Sequence, residues 1–166
     1  MPACVGSILE VSVWDDWTSD GLRFSATVLS MVPWVAGVLL FVVARRVDSA
    51  RELIPVTIAV MIINELMLKP WLQQPRPSGS CLRSKGLPSS HSALSMAWST
   101  AAALRGWPTR SRAAFVMVAV LLLVPWARVE LRDHSVNQVC FGCSVGFVIA
   151  LLENRVINGH WWLSPR

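Results

Sequence analysis

The chain is predicted to be an all-α, polytopic membrane bundle of about five helices, and composition, segment length and segment spacing each point there. Hydrophobic residues make up 54% of its 166 residues and charged residues only 15%, against about 25% charged in an ordinary soluble domain. Mean hydropathy is +0.50. The apolar residues are bunched into runs that reach or approach the ~20 residues needed to cross a hydrocarbon core about 30 Å thick. Charges and prolines separate these runs, so residues 1–166 read as one integral membrane domain.

The first run extends from about Phe24 to Ala44 and stops at Arg45-Arg46. Glu10, Asp15, Asp16 and Asp20 precede it, whereas a cleaved signal peptide opens on basic residues, so this span is expected to be retained. The second, about Leu53 to Leu68, holds Asn64 and Glu65 and ends at Lys69-Pro70. Glu65 has two readings, pairing with a site arginine or structural hydrogen bonding with Asn64. The third, about Ser92 to Leu104, is rich in Ala and Ser and short for a span unless protein covers it. The fourth covers about Ala113 to Trp126. The fifth covers about Val136 to Leu152, where Gly142, Ser144 and Gly146 permit close helix packing.

Between the second and third runs, Pro70 to Pro88 contains Pro75, Pro77, Gly79 and Gly86 and is read as a loop. So long a loop in so small a membrane protein suggests work at the surface.

The net charge of +5 does not indicate nucleic-acid binding, because the basic residues sit in short connections and form no stripe. Cys4, Cys81, Cys140 and Cys143 are too few and scattered to suggest a disulfide scaffold, and Cys140-x2-Cys143 inside an apolar run reads as packing. The nine tryptophans, Trp14, Trp17, Trp107, Trp161 and Trp162 among them, read mostly as interface anchors.

In an up-and-down bundle the end of span two, the start of span three, the end of span four and the start of span five share one membrane face. Lys69 and Arg76, then His91, then Arg128, then His134 are therefore expected to converge. The opposite face carries Arg45, Arg46, Arg51, Arg105, Arg110 and Arg112, which makes it the cytoplasmic one. Asp133 and Glu130 read as solvated charges.

Phosphoryl transfer requires cations on the non-bridging oxygens, an in-line nucleophile and a group serving the leaving oxygen. Lys69, Arg76 and Arg128 provide the first, Arg128 as a planar fork suited to phosphate. Ser89 and Ser90 are N-cap residue types at a helix start that would attract an anion. His91 and His134 are the candidates for proton donor and nucleophile.

Lys69-x6-Arg76-Pro77, then Pro88-Ser89-Ser90-His91, then Arg128-x5-His134 resemble the three-part signature of the type-2 phosphatidic-acid phosphatase superfamily, with a core at 69–138. Ser90 and Gln138 stand where the general pattern has Gly and Asp, and both resemble the dolichyl-diphosphatase branch. Asn64-Glu65, Gln74-Pro75-Arg76-Pro77 and Arg128-Val129 are similar to that branch as well. Ala127 replaces the Ser that many relatives have.

The resemblance implies that His134 attacks the terminal phosphorus to form a phosphohistidine and that His91 protonates the leaving group. It implies phosphate binding by Lys69, Arg76, Ser89, Ser90 and Arg128, with no metal or other cofactor. Gln138, one turn beyond His134, is expected to accept from its imidazole. The implied partners are the bilayer and a polyprenyl diphosphate, dolichyl diphosphate above all. The implied place is the endoplasmic reticulum membrane with the site facing the lumen, recycling the carrier lipid for protein N-glycosylation. A phosphatase for phosphatidate or another lipid phosphate, and a catalytically silent scaffold, are the alternative expectations.

Overall fold

The computed structural model describes residues 4–8, 11–14, 20–43, 53–107 and 111–158. Five helices follow one another: α1 (Gly21–Val43), α2 (Ile54–Leu72), α3 (Ser90–Leu104), α4 (Arg112–Glu130) and α5 (Val136–Asn158). Each overlaps the run expected for it. Glu10, Asp15, Asp16, Trp17, Ala44, Arg45, Arg46, Arg51, Arg110, Trp161 and Trp162 lie outside the described residues. An antiparallel hairpin, β1 (Cys4–Ile8) and β2 (Val11–Trp14), precedes the bundle and adds strands to the all-α expectation. Its Val11 packs with Ala26 of α1 and with Ala127 and Leu131 at the end of α4.

Among the described residues, α2, α4 and the Val136–Val156 stretch of α5 are long and apolar enough to cross a membrane. Their outward surfaces carry Leu66, Phe115, Leu123, Phe147 and Val156, all exposed, as helices in lipid require. The short α3 is the exception and the centre. It is buried along most of its length, so its Ala and Ser residues meet protein rather than lipid. Gly142 and Gly146 account for the fit: a Cβ on Gly142 would meet the Ser89 carbonyl oxygen, and one on Gly146 the Ala93 carbonyl oxygen, well inside contact distance. Small residues here let the backbones of α5 and α3 touch. Ser144, expected to join them, is exposed and bonds back to the Cys140 carbonyl.

Helix ends are set by identifiable groups. The Asp20 carboxylate accepts from the Leu22 and Arg23 amides at 3.0 and 3.3 Å and caps α1. Helix α2 does not stop at Pro70 as expected but runs on to Leu72. Its Ile62–Leu68 stretch is π-helical, and this wider turn accommodates the backbone hydrogen-bond donor that Pro70 lacks. Gln73, left-handed at φ 48°, then ends the helix ahead of Pro75. The Trp98 indole of α3 donates to the Thr57 hydroxyl of α2 at 2.8 Å, a buried polar link in the core.

Candidate active site

The ends of α2 and α4, the starts of α3 and α5 and the loop of residues 73–89 meet at one end of the bundle. His91 (5% exposed), His134 (2%), Lys69 (8%) and Arg128 (0%) are buried together there. His134 follows the last turn of α4, its amide donating to the Arg128 carbonyl at 3.2 Å. The His134 Nδ1 lies 2.8 Å from the Gly86 carbonyl oxygen, which accepts only, so Nδ1 carries the hydrogen. The lone pair is thereby on Nε2, which faces Arg76 Nη1 at 2.9 Å.

Arg76 is fixed by several acceptors. Its Nε donates to the Ser84 carbonyl at 3.0 Å, Nη2 to the Ser84 hydroxyl at 2.8 Å and Nη1 to the Asp133 carbonyl at 2.9 Å. This fork stands directly in front of the imidazole lone pair. Burial foremost, then the charges of Arg128 and Arg76, hold the His134 imidazole well below its ordinary pKa, although the Gly86 carbonyl opposes them. The ring is therefore neutral near pH 7 with an available lone pair, as a nitrogen nucleophile must be.

Asp133, read from sequence as solvated, is fully buried and pairs with the fully buried Arg128, its Oδ2 lying 3.0 Å from Nη1. The pair fixes the guanidinium at the end of α4. A buried charge requires such a partner, and this one sits in the turn just past the helix.

Lys69 Nζ donates to Glu65 at 2.7 Å, and the Ser90 hydroxyl donates to the same carboxylate oxygen. Of the two readings of Glu65, pairing with a site cation is the one the geometry adopts, with the lysine in place of an arginine. Ser89 stands at the N-cap of α3 without a side-chain cap bond. Its hydroxyl is 2.9 Å from that of Ser92, and its amide donates to the Gln138 carbonyl at 3.2 Å. The positive end of α3 is thus left for an anion. His91, one residue into the helix, lies close enough to Arg128, His134, Lys69 and Arg76 to feel their charges. Its Nε2 accepts from the Trp34 indole N–H of α1 at 2.6 Å.

Gln138 departs from expectation. It forms a capping box with Ser135: Oε1 accepts from the Ser135 amide at 3.2 Å, and the Ser135 hydroxyl accepts from the Gln138 amide at 3.4 Å. Its Nε2 donates to Gln74 Oε1 at 3.3 Å and to the Pro75 carbonyl at 2.8 Å. The imidazole's backbone partner, Gly86, lies against this amide, since a Cβ on Gly86 would come within 2.6 Å of it. Gln138 therefore buttresses the loop that orients His134 and leaves the imidazole itself to the Gly86 carbonyl. Ser135-x-x-Gln138 was the available sequence signal for this role.

Cys81, in the same loop, is disulfide-bonded, a bridge that the cysteine spacing did not indicate, while Cys140 and Cys143 are free thiols. Cysteine spacing along a chain does not report which loops a fold brings together.

Comparison with curated proteins and with solved structures finds no match. A family comparison does: residues 49–162, more than half of the chain and all of the site just described apart from Trp34, match the PAP2 superfamily. Members of that family are phosphatases, which supports hydrolysis of phosphoric esters on lipid phosphates here. On this match the chain belongs to the PAP2 superfamily.

Proposed function

We propose that this protein is a lipid diphosphate phosphatase that removes the terminal phosphate of a polyprenyl diphosphate, most specifically dolichyl diphosphate. The observation that carries this reading is the His134 imidazole, with Nδ1 held by a backbone carbonyl and Nε2 presented to a guanidinium. A phosphoryl oxygen accepting from Arg76 would bring its phosphorus next to that lone pair. Lys69, Arg128 and the start of α3 surround the same space and would spread the charge that builds on the remaining oxygens. Nε2 would form the N–P bond as the bridging P–O bond breaks, and the electron pair would leave with the lipid phosphate. Water would then hydrolyse the phosphohistidine and release inorganic phosphate. Arg76 is the catalytic cation that must shift its contact from Nε2 to substrate, while Asp133 holds the Arg128 guanidinium in place.

Two features support a site facing an oxidising compartment, in this reading the lumen of the endoplasmic reticulum. The loop charges favour the opposite face as cytoplasmic. A disulfide at Cys81, on the site face, persists where thiols are not kept reduced. There the reaction would return the carrier lipid for further rounds of protein glycosylation.

Phosphate release from dolichyl diphosphate by purified protein, set beside His134→Ala, tests the assignment. Activity in the parent and none in the variant is expected. Equal activity in both removes His134 from the chemistry, activity confined to phosphatidate replaces the substrate, and inactivity of both points to a scaffold.

A further inference from the structure

A carboxylate inside a membrane-spanning helix is costly and is normally found facing protein partners or water. Glu65 of α2 is such a residue, and it lies in the π-helical stretch Ile62–Leu68, a widened turn of the kind that is frequent at functional positions. One of its oxygens, Oε1, accepts from donors on two helices: Lys69 Nζ of α2 at 2.7 Å and the Ser90 hydroxyl at the start of α3. The side-chain amide of the adjacent Asn64 is buried and has no hydrogen-bond partner among the described residues. Glu65 is thus engaged with the site and not with its own turn.

The two donors differ in what they have left to give. An ammonium carries three hydrogens, and Lys69 spends one on Glu65, so two remain for phosphoryl oxygens. A hydroxyl carries one hydrogen, and that of Ser90 is spent on Glu65, so toward an anion it presents only lone pairs. The backbone is in another position. The first bond inside α3 runs from the Ala93 amide to the Ser89 carbonyl, which leaves the amides of Ser90, His91 and Ser92 without a partner within the helix. We propose that Glu65 is a positioning residue of the phosphoryl site. It ties the Lys69 ammonium to the first turn of α3 and withdraws the Ser90 hydroxyl from anion binding, so that Ser90 meets a phosphoryl oxygen through its amide alone.

This rests on the phosphatase reading above and assigns, within it, the group that sets Lys69. A lysine is a point charge on a flexible stem, and a fixed acceptor gives it one geometry. Glu65 also has an opposing effect. It carries negative charge beside a site for anions, with 35% of its side chain exposed, and so weakens the hold on any phosphate, released product included. The two effects are separable. An amide oxygen in place of the carboxylate oxygen still accepts from both donors and carries no charge.

The test compares the full chain with Glu65→Ala and Glu65→Gln for phosphate release from a polyprenyl diphosphate, with inorganic phosphate as the inhibitor and Tm read on each preparation. Glu65→Ala should lower kcat/KM by about tenfold or more, since misplacement of a group by about 1 Å costs on the order of 10²-fold. Glu65→Gln should recover most of that loss and bind inorganic phosphate about two- to fivefold more tightly, the range for one charge partly open to solvent. Equal loss in both variants, or an inhibition constant for phosphate in Glu65→Gln equal to the parent's, overturns the inference. The assignment of Ser90 is read from a double-mutant cycle: Ser90→Ala should cost more in the parent than in Glu65→Ala, and the same factor in both contradicts withdrawal of the hydroxyl. Should Glu65→Ala fail to fold, the inhibition constant of Glu65→Gln decides. A parent protein that releases phosphate from no lipid phosphate overturns the phosphatase reading as well, a result distinct from every outcome at Glu65.

Discussion

The two ends of the bundle both carry arginines paired with acids, yet they differ in what surrounds the pairs. At the far end Arg105, just past α3, meets Glu153 of α5 at 3.1 Å, and both side chains are nearly buried. That pair ties two helices and has no imidazole near it among the described residues. At the site end Arg128 and Asp133 form a buried pair as well, but Arg76, Lys69, His91 and His134 share the space. Cationic clustering alone is therefore a poor guide to function. The distinguishing feature is a neutral imidazole lone pair facing a cation, an arrangement with no stabilising purpose that an ordinary ion pair would not serve better.

This contrast can be broken at several points. Asp133→Ala should have the largest effect on stability, since it removes the carboxylate paired with the buried Arg128, and removing one partner of such a pair costs about 3–5 kcal/mol. Thermal unfolding in detergent should show a large drop in Tm and should not separate the loss of fold from the loss of activity. Gly86→Ala is more selective. The new methyl group would collide with the Gln138 amide, and because that amide ends a flexible side chain it would swing off Gln74 and Pro75 and loosen the loop whose Gly86 carbonyl orients His134 Nδ1. Displacement of a reacting group by about 1 Å lowers kcat on the order of 10²-fold, which phosphate release at saturating lipid would show while Tm changes little.

The pH profile sharpens the same point more gently. Burial and the flanking arginines lower the His134 pKa, so the neutral, nucleophilic form persists below the ordinary histidine value of about 6.5. The acidic limb of kcat/KM should accordingly lie well below pH 6.5. In Arg76→Gln, with one of the depressing charges removed, whatever activity remains should have its acidic limb shifted toward higher pH. The smallest effect belongs to the far end: Glu153→Gln should cost about 1–2 kcal/mol of stability and leave the turnover number unaltered, read from melting and from phosphate release on one preparation.

The bundle was legible in the sequence because hydrophobic runs and their charged ends follow directly from the bilayer, and counting crossings was enough to bring Lys69, Arg76, His91, Arg128 and His134 to one end. Gly142 and Gly146 were legible for a similar reason, as small residues where helices must touch. The Gly86 carbonyl was not, because backbone atoms carry no residue signal. Nor was Trp34, which is 57 positions from His91 and looks like any other tryptophan in a span. Asp133 was misread because an acid in a short loop is ordinarily solvated, and only the fold shows that the turn closes over Arg128. Pro70 misled in the opposite direction, since the preceding π-helical turn lets α2 continue through it.

The central claim is that Nε2 of His134 takes up the phosphoryl group. Rapid acid-free quenching of the parent protein during turnover of a lipid diphosphate, followed by peptide mass analysis, addresses it directly. The account predicts one added phosphoryl group on the peptide containing His134, and none when His134→Ala is treated alike. A parent protein that turns over substrate while its phosphoryl group is found on another residue, or on none under conditions that preserve phosphohistidine, would contradict it.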